Sequence, residues 1–108
     1  MVTSAEYQHM VASQMSEKEW QAQVIELARS LGYVTYHTYD SRRCEPGLPD
    51  LFLLRMDPPR FVVIELKTTK GRLTKEQRIW LDGLRAAGIE AFVFRPNQWN
   101  ELVEELQR

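Results

Sequence analysis

The sequence predicts an α/β domain in which a mixed β-sheet is flanked by helices. Two apolar runs around Asp57-Pro58-Pro59 indicate a β-hairpin, with strands from Leu51 to Arg55 and from Phe61 to Lys67. Segments with helical periodicity stand before and after this hairpin, and two of them begin at a capping motif. The predicted order is helix, strand, hairpin, helix, strand, helix. Such alternation is typical of helices packed against a sheet.

The first predicted helix follows a segment that lacks clear periodicity. We expect residues 1–15 to be a flexible, loosely helical leader and residues 16–108 to be a single domain. In Ser16-Glu17-Lys18-Glu19, Ser16 is the expected N-cap and Glu19 completes a capping box. Gly32 ends the helix. Its apolar stripe consists of Trp20, Val24, Leu27, Ala28 and Leu31.

Glu17 is an acid whose predicted position on the apolar stripe has no structural explanation within the helix. At about 100° per residue it falls in the middle of the apolar stripe, whereas Glu19 points nearly opposite. An acid centred on a buried face needs a cation or hydrogen-bond donors, and Gln21 on the same face is a polar neighbour. Glu17 is therefore a candidate site residue, and Glu19 a structural one.

A strand and a polar loop lead into the hairpin. Aromatic and β-branched residues predict a strand from Tyr33 to Tyr39. In the loop that follows, Ser41, Arg42 and Arg43 are candidate phosphate ligands, because a guanidinium group binds phosphate bidentately. The alternative is a solvated loop with surface ion pairs.

The open end of the hairpin carries converging charges. Asp50 begins the first strand, while Glu65 and Lys67 end the second on one face, because strand side chains alternate with a period of two. The start of one hairpin strand lies beside the end of the other, so Asp50 can approach Glu65. Converging carboxylates repel each other unless a cation lies between them, and hard oxygen ligands suit Mg²⁺ or Mn²⁺. An isolated Glu-x-Lys would otherwise be typical of a strand emerging into water.

A basic loop and a second capped helix come after the hairpin. Lys70 and Arg72 in this loop are candidate DNA contacts near the expected metal. Thr74-Lys75-Glu76-Gln77 is a second capping box, and the helix it opens stops at Gly88. Gln77 lies in the centre of the helix's apolar stripe, although the cap explains it without a catalytic role.

The last predicted elements are a short buried strand at Ala91–Phe94 and a helix that begins at Pro96-Asn97. The packing face of this helix consists of Trp99, Leu102, Val103 and Leu106.

Composition and charge limit the possible classes. A chain of 108 residues with 44% hydrophobic and 27% charged residues is typical of one globular domain. It has no run suited to a membrane span and no signal-peptide core, and with one cysteine and two histidines we expect a cytoplasmic protein without a zinc site. A net charge of -1 argues against a general nucleic-acid coat. However, residues 42–78 hold nine of the 14 Lys/Arg against five of the 15 Asp/Glu, as a phosphate-binding face requires.

Gly47-x-Pro49-Asp50 followed by Glu65-x-Lys67 resembles the PD-(D/E)xK nuclease motif. With Glu17 on the opening helix and Gln77 at the head of a later one, the whole pattern resembles the VRR-Nuc branch, which occurs in bacterial and phage nucleases. The resemblance implies a restriction-endonuclease-like core and a metal-dependent DNA endonuclease. The short motif alone is a weak signal, because the spacing between its two halves varies among such nucleases, and the ordered set of residues is the specific one.

The resemblance assigns a role to each site residue. Asp50, Glu65 and the backbone carbonyl of Leu66 are implied to bind Mg²⁺ or Mn²⁺. Lys67 is implied to position the attacking water, Glu17 to support the metal or that water, and Gln77 to face the site.

The small size of the domain favours recognition of DNA shape, such as a four-way junction or a flap, over reading of a long sequence. The VRR-Nuc branch includes enzymes that cut junctions, and cutting a four-way junction symmetrically needs two active sites, so the resemblance implies a homodimer. One alternative is a non-catalytic nucleic-acid-binding module, although simple binding does not need the converging carboxylates of Asp50 and Glu65. The other is a nuclease subunit that depends on a partner protein.

Overall fold

The computed structural model describes residues 2–38 and 43–108 of the chain. The described helices are α1 (Ser4–Gln14), α2 (Glu17–Ser30), α3 (Lys75–Ala86) and α4 (Trp99–Gln107). The described strands are β1 (Tyr33–His37), β2 (Leu51–Met56), β3 (Pro59–Leu66) and β4 (Glu90–Phe94). Apart from α1, and a 3₁₀ turn at Pro96–Gln98, this is the predicted order. No helix in the two described ranges is long and apolar enough to cross a membrane.

The strands form one sheet in the order β1-β2-β3-β4. The first three are antiparallel neighbours, whereas β3 and β4 are parallel because α3 carries the chain back across the sheet. A mixed sheet flanked by helices confirms the predicted fold class and is compatible with a restriction-endonuclease-like core. Parallel pairing also means that β3 and β4 end at the same edge of the sheet, where Leu66 lies beside Phe94.

The larger hydrophobic core lies between one face of the sheet and the helices α2 and α4. Its helical residues are Trp20, Val24, Ala28, Leu102 and Leu106, and its strand residues include Leu51, Leu53, Val62, Ile64 and Leu66. The polar groups of its aromatic residues are satisfied. Trp20 Nε1 donates to the carbonyl of Phe94 over 3.0 Å, and the Tyr33 hydroxyl donates to that of Leu106 over 3.1 Å.

Helix α3 covers only part of the other face. Leu81 packs there against Val63 of β3 and Ala91 of β4. The rest of this face, towards β1 and the hairpin turn, bears large apolar side chains that are 40–65% exposed. We call it the uncovered sheet face, and its residues are Val34, Tyr36, Leu54, Met56 and Phe61.

Both predicted capping boxes are confirmed. Glu19 N donates to Ser16 Oγ over 3.1 Å, and Ser16 N donates to Glu19 Oε1 over 3.4 Å. Gln77 N donates to Thr74 Oγ1 over 3.1 Å, and Thr74 N donates to Gln77 Oε1 over 2.8 Å. Because a cap satisfies backbone groups that the first turn leaves unpaired, these motifs fix where α2 and α3 begin.

Helix α1 occupies most of the segment for which we expected a loosely helical leader. Thr3 caps it, and among its described residues only Ala12 is buried. Thr69 Oγ1 donates to the Ala12 carbonyl over 3.2 Å, which ties α1 to the loop after β3. The division of the chain into a flexible leader and a domain from residue 16 stays a prediction.

Candidate active site

The hairpin brings Asp50 and Glu65 together as predicted. Leu51 of β2 pairs with Ile64 of β3, so the next antiparallel position towards the open end places Asp50 beside Glu65. The backbone fixes Asp50 on both sides. Leu66 N donates to its Oδ2 over 2.9 Å, and Thr38 N donates to its carbonyl oxygen over 3.0 Å. The first carboxylate is therefore held in place by the sheet itself.

Glu65 is a buried acid. It is only 1% exposed, and among the described residues its Oε2 has no hydrogen-bond partner. Burial is the largest cause that raises the pKa of Glu65 to about 9, followed by a hydrogen bond and charge repulsion from Asp50. The charge of Lys67 lowers this pKa and that of Glu17 raises it, so both groups act on the carboxyl.

The donor set fits a hard divalent cation. A cation between Asp50 and Glu65 would relieve their repulsion and satisfy the unpaired Oε2. Within residues 2–38 and 43–108, however, no group of three His, Cys, Asp or Glu side chains converges on a metal position. Further ligands would be backbone oxygens, such as the predicted Leu66 carbonyl, and water, which Mg²⁺ commonly retains.

The predicted burial of Glu17 is wrong. Its side chain is exposed, although Trp20 one turn later is buried. Glu17 is the first residue of α2, and its chain neighbours Ser16 and Lys18 are exposed as well. Helical phase gave the direction of the side chain correctly, since its charge still acts on Glu65, but phase carries no information about depth.

The start of α3 forms another wall of the site. Gly47 has a φ of +88°, and a Cβ placed there would lie 2.4–2.7 Å from backbone atoms of Glu76 and Gln77. Trp80 Nε1 donates to the Pro46 carbonyl over 3.1 Å, which fastens the same loop to the same helix. The oxygen of the Gln77 side chain is used in the cap, so a role for Gln77 in the site stays a prediction.

The candidate DNA contacts are described only in part. Arg43, Lys70 and Arg72 have exposed side chains, whereas Ser41 and Arg42 lie outside the described residues. Contact of any of these residues with DNA stays a prediction.

The sequence did not reveal the role of Arg95. Its guanidinium donates to the carbonyls of Thr68 and Gly71, which shapes the loop directly after Lys67. The parallel pairing of β4 with β3 puts the residue after β4 next to the loop after β3. With that pairing predicted, a basic residue at this position would have indicated a contact with the loop.

The sequence of the chain is similar to a domain family and to segments of named relatives. Residues 3–98 match the model of the VRR-NUC domain. A 54-residue segment, half of this chain, is 39% identical to Fanconi-associated nuclease 1 of Danio rerio and of Homo sapiens, and 37% identical to that of Ailuropoda melanoleuca. The matched segment is only 5–6% of the length of these relatives. No solved structure gives a significant match. Since the domain match spans most of its length, the chain belongs to the VRR-NUC domain family.

Proposed function

We propose that this domain is a DNA endonuclease that needs a divalent cation to hydrolyse phosphodiester bonds. The match to the VRR-NUC domain family supports nuclease activity. So do the three relatives, each of which is named a nuclease. The observation that carries the proposal is the contact of Asp50 with the buried carboxyl of Glu65, whose Oε2 has no partner in the described part of the chain. Neither core packing nor simple DNA binding requires this arrangement.

Each site residue has a role in this proposal. Asp50, Glu65 and the Leu66 carbonyl would hold Mg²⁺ or Mn²⁺, which would supply positive charge to offset the negative charge that develops on the phosphate. Lys67, on the same face as Glu65, positions the attacking water. Glu17 supports that water or the cation from the start of α2, and Gln77 faces the site from α3.

The proposed substrate is branched DNA, such as a four-way junction or a flap. The described chain measures about 48 × 33 × 24 Å. It therefore spans at most about one and a half turns of duplex, at about 34 Å per turn, and offers little surface for reading a long sequence. Arg43, Lys70 and Arg72, together with Ser41 and Arg42 outside the described ranges, bind phosphates.

We further propose a homodimer, because paired cuts across a junction need two active sites. The uncovered sheet face supports this proposal, since an apolar surface on a soluble domain commonly marks a protein contact.

The proposal is tested by nicking of supercoiled plasmid with Mg²⁺ or with EDTA. Asp50→Asn, Glu65→Gln and Lys67→Ala should each lower the nicking rate at least about 100-fold, the usual loss when one stabilising group is removed. The three variants should stay folded and bind DNA. Asp82→Asn, which alters an exposed acid of α3, is the matched control and should cut normally. Substantial cleavage by Asp50→Asn in EDTA would contradict the cation mechanism.

A further inference from the structure

A second concave surface lies at the same sheet edge as the candidate active site. Since β3 and β4 are parallel, the chain leaves both strands at this edge, towards Lys67 in one case and towards the 3₁₀ turn and Trp99 in the other. Helix α1 packs against the 3₁₀ turn. Between α1, the start of α2 and the start of α4 is a cleft of about 410 Å³. This volume falls within the range of about 300–1,000 Å³ that is usual for small-ligand pockets.

The lining of the cleft is neutral, aromatic and rich in amide groups. None of the described residues that line it is Asp, Glu, Lys or Arg. The polar and aromatic residues that line it are Tyr7, Gln8, His9, Trp20, Gln23, Asn97, Trp99 and Asn100. A phosphate or another anion would find no charged partner here. A flat, uncharged ring with donors and acceptors on its edge would find both a stacking surface and hydrogen-bonding groups.

Trp99 is held in a position suitable for stacking. Its ring meets Trp20 edge-on, with ring centroids 6.1 Å apart and an interplanar angle of 63°. Trp20 is itself buried and anchored through its indole nitrogen to Phe94. Trp99 is 36% exposed and, in the described part of the chain, meets no ring face to face. A rigid, partly open indole beside amide side chains is the chemistry that binds an unstacked nucleobase.

The cleft is physically connected to the active site. Trp20 follows Glu17 by three residues, about 4.5 Å along the helix axis, and Glu17 acts on the charge of Glu65. On the other side, Ala12 in the cleft wall accepts a hydrogen bond from Thr69, two residues after Lys67. The exposed side chains of Lys70 and Arg72 stand in this loop and can bind the backbone of a strand that passes from the site to the cleft.

We propose that this cleft binds an unpaired nucleobase adjacent to the scissile phosphate. A base stacked within a duplex cannot enter a cleft of this kind, so the domain selects DNA that has an unpaired nucleotide beside the cut. The inference rests on the proposed endonuclease function, and it adds a determinant of substrate choice that acts through stacking rather than through charge.

The test uses DNA duplexes in EDTA, either blunt or ending in three unpaired nucleotides, one of which is the fluorescent base 2-aminopurine. Binding of the wild-type protein should quench this fluorescence, and Trp99→Leu, which keeps an apolar side chain against Trp20, should remove the quench. Trp99→Leu should also weaken binding of the overhang DNA at least about fivefold while leaving blunt duplex unchanged. Ile79→Ala, at an exposed apolar residue of α3 that lines neither the cleft nor the uncovered sheet face, is the control and should behave as the wild type.

Asn100→Ala provides a second variant that does not alter the contact between the two indoles, and it should weaken overhang binding selectively as well. Equal losses for blunt and overhang DNA, or a quench that survives Trp99→Leu, would overturn the inference. Because the readout is binding in EDTA, it is independent of cleavage. Quenching without any cation-dependent nicking would refute the endonuclease proposal and leave the base-binding cleft standing.

Discussion

Glu65 is placed where an ionised carboxylate is costly. It is buried at the end of β3, in contact with Asp50 and with one oxygen unpaired among the described residues. A proton or a divalent cation would each compensate its charge. The residue therefore links the stability of the domain to pH, and under the proposed function it would link that stability to cation binding as well.

Without a divalent cation, the stability of the wild-type protein should fall as the pH rises. The folded protein retains a proton on Glu65 between the ordinary pKa of 4.5 and the raised pKa of about 9, whereas the unfolded chain has released it. Because the folded state binds more protons in this range, higher pH favours unfolding. In EDTA, Glu65→Gln should melt at least about 4 °C above the wild type at pH 9, and close to it near pH 4. Parallel pH dependences of Tm for the two proteins would contradict this explanation.

Glu17 and Glu19 should separate chemistry from stability. Glu17 is exposed and acts on Glu65, so Glu17→Gln should leave Tm nearly unchanged and lower the nicking rate at least about tenfold. Glu19 completes the capping box of α2, so Glu19→Ala should lower the free energy of unfolding by about 0.5–1 kcal/mol and cut normally. Urea denaturation and plasmid nicking measure the two effects. If Glu19→Ala were the inactive variant, the site assignment would move to Glu19.

At the scale of single residues, the sequence predicted which side chains of the hairpin are neighbours better than it predicted how deeply a side chain is buried. The alternation of β3 and the antiparallel geometry of a hairpin were sufficient to bring Asp50 to Glu65. Helical phase placed Glu17 on the side of the site but not at its surface. How deeply a side chain is buried depends on where the opposing layer ends, and no local pattern contains that information.

At the scale of elements, the loop before β2 and the start of α3 form one unit. Gly47 touches the backbone of Glu76 and Gln77, and Trp80 holds the Pro46 carbonyl. This unit immediately precedes Pro49-Asp50 in the chain. The capping boxes could be predicted because each depends on residues only three positions apart. The contact of Gly47 with α3 and that of Arg95 with the Thr68 carbonyl could not, because each joins segments that are distant in the chain.

Gly47→Ala should damage both stability and activity, because the added methyl would overlap the backbone of α3. Gly88→Ala is the matched control. Gly88 has a similar φ of +85°, but no heavy atom lies within 4 Å of the added Cβ. Both variants bear the strain of a positive φ, roughly 1–2 kcal/mol, and Gly47→Ala should lose at least about 1 kcal/mol more from overpacking. Urea denaturation should show that difference, and only Gly47→Ala should also nick plasmid more slowly. Equal losses of stability would show that the loop yields without moving α3.

At the scale of the whole molecule, the alternation of periodicities predicted the fold class and the order of the elements, but it left three features open. These are the helix α1, the parallel pairing of β3 with β4, and the extent to which α3 covers its face of the sheet. All three depend on contacts between segments far apart in the chain. The last of them leaves an apolar surface whose role the sequence alone could not suggest.

The proposed homodimer assigns the uncovered sheet face to contact between two copies of the chain. Its central row crosses three strands, with Val34 paired to Leu54 and Leu54 paired to Phe61. A charge introduced in that row would be buried without a partner in a dimer, so Leu54→Glu should convert a dimer into a monomer that remains folded. Met10→Glu is the matched control. Met10 is 44% exposed against 40% for Leu54, but it stands on α1, away from this face, and its substitution should leave the dimer intact.

Light scattering should give twice the chain mass of 12.7 kDa for the wild type and for Met10→Glu, and a single chain mass for Leu54→Glu. On a labelled four-way junction, the dimer should place symmetric nicks in opposite strands, and Leu54→Glu should lose the pairing of the nicks rather than the chemistry. The chemistry should survive because Leu54 is far from the site. The site lies at the open end of the hairpin, and Leu54 pairs with Phe61 nearer to the hairpin turn. A wild-type protein that is monomeric both free and on DNA would refute the dimer. Cutting of single flaps would then be the better account of its activity.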